Sequence, residues 1–122
     1  MMSLNSINND PVQAMASRML DATSLRGRVL ANNLANADTP GFVRQDVPFE
    51  ASLAQAVKSG QLESFEPTVV SDRVTPAKTD GNNVAIDSEL AELNKTAMMH
   101  QMAVQFLQTS LGMQRLAING KG

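Results

Sequence analysis

The chain has 122 residues, a formal net charge of -2 and 3% aromatic residues, and it contains no Trp, Tyr or Cys. This length suits one domain, whose core must be largely aliphatic because so few aromatic side chains exist to fill it. The dispersed, nearly balanced charge argues against a nucleic-acid partner, and the absence of Cys excludes disulfides and thiolate catalysis.

Residues 1–10 are rich in Ser and Asn, and we expect a disordered segment without the basic start and apolar stretch of a cleavable signal peptide. A long helix is predicted over residues 11–36, because Asp10 can act as its N-cap and Pro11 suits the first helical position. Its apolar residues recur in steps of three and four, which predicts a stripe interrupted by Arg26 and Asn33. The stripe residues are Val12, Met15, Met19, Ala22 and Val29.

Residues 37–86 are predicted to form a turn followed by a surface-exposed insert. Pro40 bars the residue before it from helical geometry, and Gly41 can take the positive φ of a tight turn. A short helix ended by Gly60 is predicted from its apolar spacing. Its apolar residues are Phe49, Leu53, Ala56 and Val57.

A hairpin is predicted in the second half of this insert. Val residues between positions 69 and 74 are expected to pair with residues 84–86, across a turn at residues 80–82.

A second long helix is predicted over residues 87–122, with Asp87 or Ser88 as its N-cap. Its apolar residues follow a heptad, so they form a stripe that can be buried along the first helix. The sequence therefore predicts a mainly α fold, in which long N- and C-terminal helices pair as a coiled-coil-like hairpin beside a small irregular, β-containing middle segment. The stripe consists of Leu90, Leu93, Ala97, His100, Val104, Leu107, Leu111 and Ile118.

A neighbouring face of the C-terminal helix carries a second apolar set. The helix thus has more apolar surface than one partner helix can cover, which predicts contacts with other subunits. The uncharged stretch 96–114 is interrupted by one His and several Gln residues, so an interface helix is favoured over a membrane span. The second set is Met102, Phe106, Met113 and Leu116.

Catalysis and ligand binding find little support in the sequence. His100 has no second His or Cys with which to bind a metal, so it is interpreted as a polar residue that sets helix register. Residues 80–89 lack the alternating oxygen ligands of a calcium loop, and neither Ser24 nor Ser110 has an evident base. We therefore predict no enzyme activity, cofactor, metal or small-molecule substrate.

The stretch Ala-Asn-Asn-Leu-Ala-Asn-Ala-Asp-Thr-Pro-Gly-Phe at residues 31–42 resembles the signature of bacterial flagellar axial proteins of the rod and hook. Its continuation to Phe49 is most similar to proximal rod subunits of that family. So are residues 80–84 and 116–118, with Asp87, Glu89, Leu93 and Asn94 between them. The resemblance implies that the signature residues serve assembly. They are Asn32, Asn33, Leu34, Ala35, Asn36, Asp38, Thr39, Pro40, Gly41 and Phe42.

The resemblance further implies a structural subunit of the proximal rod, which assembles through its terminal helices, transmits torque and forms the export conduit used in motility. Its implied partners are other rod subunits, further copies of itself, and components of the basal ring and export gate. Its implied location is the periplasm-spanning rod of the basal body, reached by type III export without a cleaved signal peptide.

A different class of function stays open from the sequence. The same helices could belong to a soluble adaptor or export chaperone that holds one partner. A finite, stable complex would favour the adaptor, whereas concentration-dependent filaments would favour the rod subunit.

Overall fold

Two long helices dominate the computed structural model, which describes residues 11–120. Helix α1 spans Pro11–Ala35, and helix α3 spans Ile86–Asn119. Side-chain hydrogen bonds join Gln13 to Ser110 near one end and Asn33 to Glu89 near the other, so the two helices run antiparallel. The predicted mainly α fold with paired terminal helices is therefore confirmed. The expected disorder of residues 1–10 and the expected Asp10 cap lie outside the described residues.

The middle segment contains helix α2 at Glu50–Ser59, a 3₁₀ turn at Leu62–Ser64 and two short strands. Strand β1 is Gln45–Asp46 and strand β2 is Val70–Ser71, and they pair antiparallel. The ladder sets Gln45 opposite Ser71 and Asp46 opposite Val70.

The hairpin predicted between residues 69–74 and 84–86 is therefore wrong. Ile86 is already helical, and the backbone N–H of Asp72 donates instead to the carbonyl of Arg44 at 2.9 Å. The segment after Phe42 lies between the two expected strands, since the N–H of Asn83 donates to the Phe42 carbonyl at 3.3 Å. The strand at residues 70–71 thus pairs with β1, which is distant in the sequence, instead of with residues 84–86. The spacing of residues along the sequence could not indicate this nonlocal pairing.

The main apolar core lies between α1 and the middle segment. Phe49 and Leu53 are only 1% and 2% exposed, and Gly60 ends α2 in the left-handed conformation with φ 71°. Burial of a few large side chains here fastens α2 to α1, because each contributes about 1.5–3 kcal/mol of transfer free energy. The core residues are Ala22, Val29, Val47, Phe49, Leu53, Ala56 and Phe65.

Helix α3 begins one residue earlier than predicted. Ala85 occupies the N-cap position and makes no side-chain cap bond, so the predicted cap at Asp87 or Ser88 is wrong. Asp87 and Glu89 instead lie in the first turn, where the positive end of the helix dipole favours carboxylates. Within residues 11–120, no helix has an apolar run of the length and hydropathy that crossing a membrane requires.

Candidate functional site

A buried group of polar side chains lies where the ends of α1 and α3 meet the middle segment. At its centre is Glu89, which is 1% exposed. Arg44 donates from Nε to Glu89 Oε1, and Asn33 donates from Nδ2 to Glu89 Oε2 at 3.1 Å. We call Asn33, Arg44, Asp72, Asn83 and Glu89 the Glu89 cluster. It satisfies a carboxylate whose burial would otherwise cost several kcal/mol.

Asn33 joins the end of α1 to strand β1. Its Nδ2 donates to the Gln45 carbonyl at 2.8 Å, while its Oδ1 accepts from the Gln45 N–H at 3.0 Å. The side chain thus pairs with the backbone as a neighbouring strand would. Because Asn33 is only 1% exposed, any apolar replacement would remove both bonds to the Gln45 backbone and the bond to buried Glu89.

Arg44 and Asn83 extend the cluster to the segment after β2. Arg44 Nη1 donates to Asp72 Oδ2 at 2.7 Å, and the Arg44 backbone N–H donates to Asn83 Oδ1 at 2.6 Å. Asn83 Nδ2 in turn donates to the Asp72 carbonyl at 2.7 Å. Three parts of the chain that are distant in sequence are thus held by one connected network.

The charges in this region favour each other. Burial alone disfavours the Arg44 guanidinium, but the hydrogen bonds with Glu89 and Asp72 outweigh it and raise the pKa of Arg44. Hydrogen bonds from Thr75, followed by the one from Arg44, hold the pKa of Asp72 well below its ordinary value. Both groups therefore remain charged at neutral pH, so the network stays intact.

The signature loop packs against the segment just before α3. Asn82 is 0% exposed, and its Nδ2 donates to the carbonyls of Asn36 and Thr39, each at 2.9 Å. The Gly41 N–H donates to the Asp80 carbonyl at 2.8 Å. A Cβ on Gly81 would lie 3.2 Å from Gly41 Cα, so the two backbones approach closely.

The predicted signature residues therefore divide into three groups. Asn33, Asn36 and Gly41 bind other parts of the same chain. Leu34 and Phe42 are half-buried. The remaining residues, which project to the surface, are Asn32, Ala35, Asp38, Thr39 and Pro40. The side chains of this exposed group lie at the surface of the loop.

The α1–α3 interface is joined by polar pairs at regular intervals. Gln13 Nε2 donates to Ser110 Oγ at 3.2 Å, and Thr23 Oγ1 lies 2.8 Å from His100 Nδ1. The Asn33–Glu89 pair follows about ten residues further along each helix. These spaced pairs fix the register, as buried polar residues do in coiled coils. His100 is half-buried and meets α1 through this pair.

The face of α3 that meets α1 is displaced by about one residue from the predicted stripe. Glu89, Thr96 and Ala103 are buried, whereas Leu90 is 45% and Leu111 is 41% exposed. One residue corresponds to about 100° of rotation on a helix. Among the predicted stripe residues, the half-buried ones are Leu93, His100, Val104 and Leu107, and the exposed ones are Leu90, Ala97, Leu111 and Ile118.

Rotation of α3 leaves much of its apolar surface in water. Met102 and Phe106 are 57% and 59% exposed, and Met113 and Leu116 are 66% and 71% exposed. We call Met98, Met102, Phe106, Met113 and Leu116 the outer face of α3. Exposed apolar sets of this kind are characteristic of interaction surfaces.

Arg26 is a structural residue whose partners the sequence did not reveal. It is 5% exposed and lies over the Phe49 ring with 4.1 Å between the guanidinium carbon and the ring centroid. Its guanidinium donates to the Val47 carbonyl at 2.7 Å and to Glu50 at 2.8 Å, which lowers the pKa of Glu50. The only sequence signal was a charged residue inside an apolar stripe.

Across residues 11–120, no three His, Asp or Glu side chains come close enough together to hold a metal ion.

Comparison with known proteins gives one consistent result. The family model described as "Flagella basal body rod protein" matches residues 16–42. The chain is 34% identical over 109 residues to the flagellar basal body rod protein FlgB of Borrelia hermsii, covering 72% of this chain and 81% of that protein.

Two further relatives carry the same name. FlgB of Borreliella burgdorferi is 35% identical over 106 residues, which cover 70% of this chain and 78% of the relative. FlgB of Salmonella typhimurium is 28% identical over 122 residues, which cover 83% and 88%. The matched family segment contains Asn33, Asn36 and Gly41, the signature residues that hold the loop in place.

Proposed function

Because the chain belongs to the family of the flagellar basal body rod protein FlgB, we propose that it assembles into the proximal rod through its two terminal helices. The chain is a structural subunit of the flagellar basal-body rod. In the proposed assembly, α1 and α3 pack side by side with the helices of neighbouring subunits. Their contacts transmit torque and enclose the export conduit that motility requires.

The observation that carries this proposal is the exposed outer face of α3. Met98 is 67% exposed and Leu116 is 71% exposed, although both lie on a helix that already has a partner in α1. Covering such residues gains about 25 cal/mol for each Å² of apolar surface removed from water. Neighbouring rod subunits would supply the missing cover.

The Glu89 cluster supports the proposed mechanical role. Arg44 and Asn33 tie the middle segment to both long helices, with Glu89 as their shared acceptor. A fully satisfied buried network resists relative movement of the segments that it joins. A subunit that passes torque to its neighbours benefits from this stiffness.

The proposed partners are other rod subunits, further copies of this chain, and components of the basal ring and export gate. The exposed signature residues and the outer face of α3 serve as their contact surfaces in this proposal. Export is proposed to leave the N-terminus uncut. Mass spectrometry of the chain recovered from basal bodies tests this point, because a shortened N-terminus would contradict it.

The assembly proposal is tested with the tagged full-length chain and three variants. We expect the intact chain in purified basal bodies, and no incorporation of a chain that lacks residues 87–122. Met98→Asp should fold normally by circular dichroism but fail to incorporate, because it places a charge on the outer face. Glu63→Ala, at an exposed position elsewhere, is the matched control.

Purification of basal bodies also distinguishes between the two proposed functions, a rod subunit and an adaptor or export chaperone. Recovery of the intact chain only in a finite soluble complex, with none in basal bodies, would overturn the proposal. Normal motility with the truncated chain would do the same.

A further inference from the structure

We propose that three methionines of α3 form a selective oxidation site for peroxides, and that their oxidation makes the outer face polar without unfolding the chain. Met98, Met102 and Met113 are 67%, 57% and 66% exposed, and we call them the outer-face methionines. They lie four and eleven positions apart along α3, close to one and three helical turns, so they share one side of the helix. The oxidation site is independent of the proposed function, whereas its effect on assembly rests on that function.

The composition of the chain leaves peroxides few other targets. The sequence contains no Cys, Trp or Tyr, which are the other readily oxidised side chains. The one His, His100, is half-buried, and its Nδ1 lies 2.8 Å from Thr23 Oγ1. Met1 and Met2 lie outside the described residues. Oxidation therefore falls on the methionine thioethers, and the fold decides which of them react first.

The other described methionines are shielded from solvent. Met15, Met19 and Met99 are half-buried and pack against the apolar core, and we call them the core-side methionines. A sulfoxide there would place a polar group against apolar side chains such as Phe49 and disturb the packing. A sulfoxide on an outer-face methionine remains in water, so the chain can carry it and stay folded.

The modification is the transfer of one oxygen atom. The O–O bond of hydrogen peroxide breaks as one oxygen bonds to the thioether sulfur, and the other oxygen leaves as water. The sulfur is oxidised by two electrons and the peroxide is reduced by the same two. Reduction of the sulfoxide needs thiols from another protein, because this chain has no Cys. In that step the sulfoxide oxygen leaves as water and two thiols become a disulfide, so the modification is reversible.

Oxidation of the outer-face methionines changes the character of the whole outer face. Only Phe106 and Leu116 remain apolar there once the three thioethers have become sulfoxides. Sulfoxide formation disrupts interfaces that are rich in Met. An oxidised free subunit is therefore withheld from the proposed rod until it is reduced.

Treatment of the purified full-length chain with dilute hydrogen peroxide tests the site. Peptide mass spectrometry should show sulfoxide forming several-fold faster at the outer-face methionines than at the core-side methionines. The circular dichroism spectrum should stay unchanged while the outer-face methionines react, and retention on a phenyl column should fall with their conversion. In concentrated urea both sets should react at equal rates, because the fold no longer shields either.

The variant Met98→Leu/Met102→Leu/Met113→Leu is the matched control. It keeps the outer face apolar and cannot be oxidised there, so peroxide should leave its retention on the phenyl column unchanged. Equal oxidation rates of the two sets in the folded chain would overturn the inference. Loss of the helical signal in step with the first sulfoxides would do so as well, since the fold would then depend on the outer-face thioethers.

Recovery from basal bodies tests the effect on assembly. Met98→Gln/Met102→Gln/Met113→Gln gives the outer face a permanent polarity like that of the sulfoxides, and it should be lost from basal bodies. The Leu variant should be recovered as well as the unchanged chain. Equal recovery of the Gln and Leu variants would overturn the effect on assembly. Absence of the unchanged chain from basal bodies would instead contradict the proposed function, while selective oxidation of the purified chain would stand.

Discussion

Arg44 binds both carboxylate oxygens of Glu89, although the two residues are 45 positions apart in the sequence. Its Nε donates to Oε1, and its Nη2 lies 3.4 Å from Oε2. Glu89 is 1% exposed, so the bond joins the segment before β1 to the first turn of α3 away from solvent. The family signature lies directly beside this bond, through Asn33.

The first prediction concerns the removal of Arg44. Arg44→Ala leaves Glu89 buried without its main partner, and breaking a buried pair in this way costs about 3–5 kcal/mol. Arg18→Ala breaks a surface pair with Asp21 and should cost at most about 1 kcal/mol. Urea denaturation, monitored by circular dichroism, measures the free energy of unfolding of each variant. Equal values would show that the Glu89 cluster contributes no more than a surface pair.

The second prediction concerns pH. The folded state lowers the pKa of Asp72, chiefly through bonds from Thr75 and then Arg44. A carboxylate of this kind stabilises the fold above its unfolded pKa of about 3.9, and the contribution is lost as pH falls toward the folded pKa. The melting temperature should therefore decline below about pH 4.

Asp72→Asn serves as the control for this decline. The variant should be less stable at pH 7 and lose less of its remaining stability between pH 4 and pH 2. A decline as steep as that of the unchanged chain would assign the acid sensitivity to other groups, such as Glu50, whose pKa is also lowered by its bond with Arg26.

The third prediction compares two glycines. Gly81 has φ 85°, and its added Cβ would meet the Gly41 backbone at 3.2 Å, so Gly81→Ala should cost at least about 1–2 kcal/mol. Gly27 lies inside α1 with open space around an added Cβ, so Gly27→Ala should stabilise the chain by about 0.5–1 kcal/mol. Thermal unfolding measures whether each variant is more or less stable than the unchanged chain. If Gly81→Ala leaves the stability unchanged, the close approach of Gly81 to Gly41 does not constrain the loop.

The fourth prediction separates the two faces of α3. Leu107 is half-buried on the side toward α1, so Leu107→Asp should lower the free energy of unfolding by more than about 1 kcal/mol. Leu116 is 71% exposed, so Leu116→Asp should change it by less than about 0.5 kcal/mol while blocking assembly. Urea unfolding and basal-body recovery measure the two effects. Equal destabilisation by both variants would contradict the assigned rotation of α3.

The fifth prediction is a gradient of stability along α3. The turns near Glu89 and Thr96 are buried, whereas Met113 and Leu116 are exposed beyond the start of α1. Local opening should therefore require less free energy toward residue 119. Amide hydrogen exchange of dilute monomer should show slow exchange near Ala103 and fast exchange near Leu116. Uniform protection along the helix would indicate that residues 113–119 are stabilised by contacts inside the monomer.

Periodicity and local chemistry were sufficient to predict several parts of this protein. Apolar steps of three and four predicted both long helices, and Gly60 marked the end of α2, because these signals act over a few neighbouring residues. The stretch at residues 31–42 identified the family for the same reason, since its turn chemistry is contained within twelve positions. The surplus of apolar surface on α3 could also be read directly from its residue pattern.

The tertiary structure alone decided which face of α3 meets α1 and which segments pair as strands. Two adjacent stripes on a helix share one period, so periodicity cannot choose between Leu90 and Glu89 as the inward residue. Arg44 and Asn33 fix the orientation of α3, because they can bond to Glu89 only when Glu89 points inward. Such bonds join residues more than 40 positions apart, and their energy depends on burial that exists only after the chain has folded.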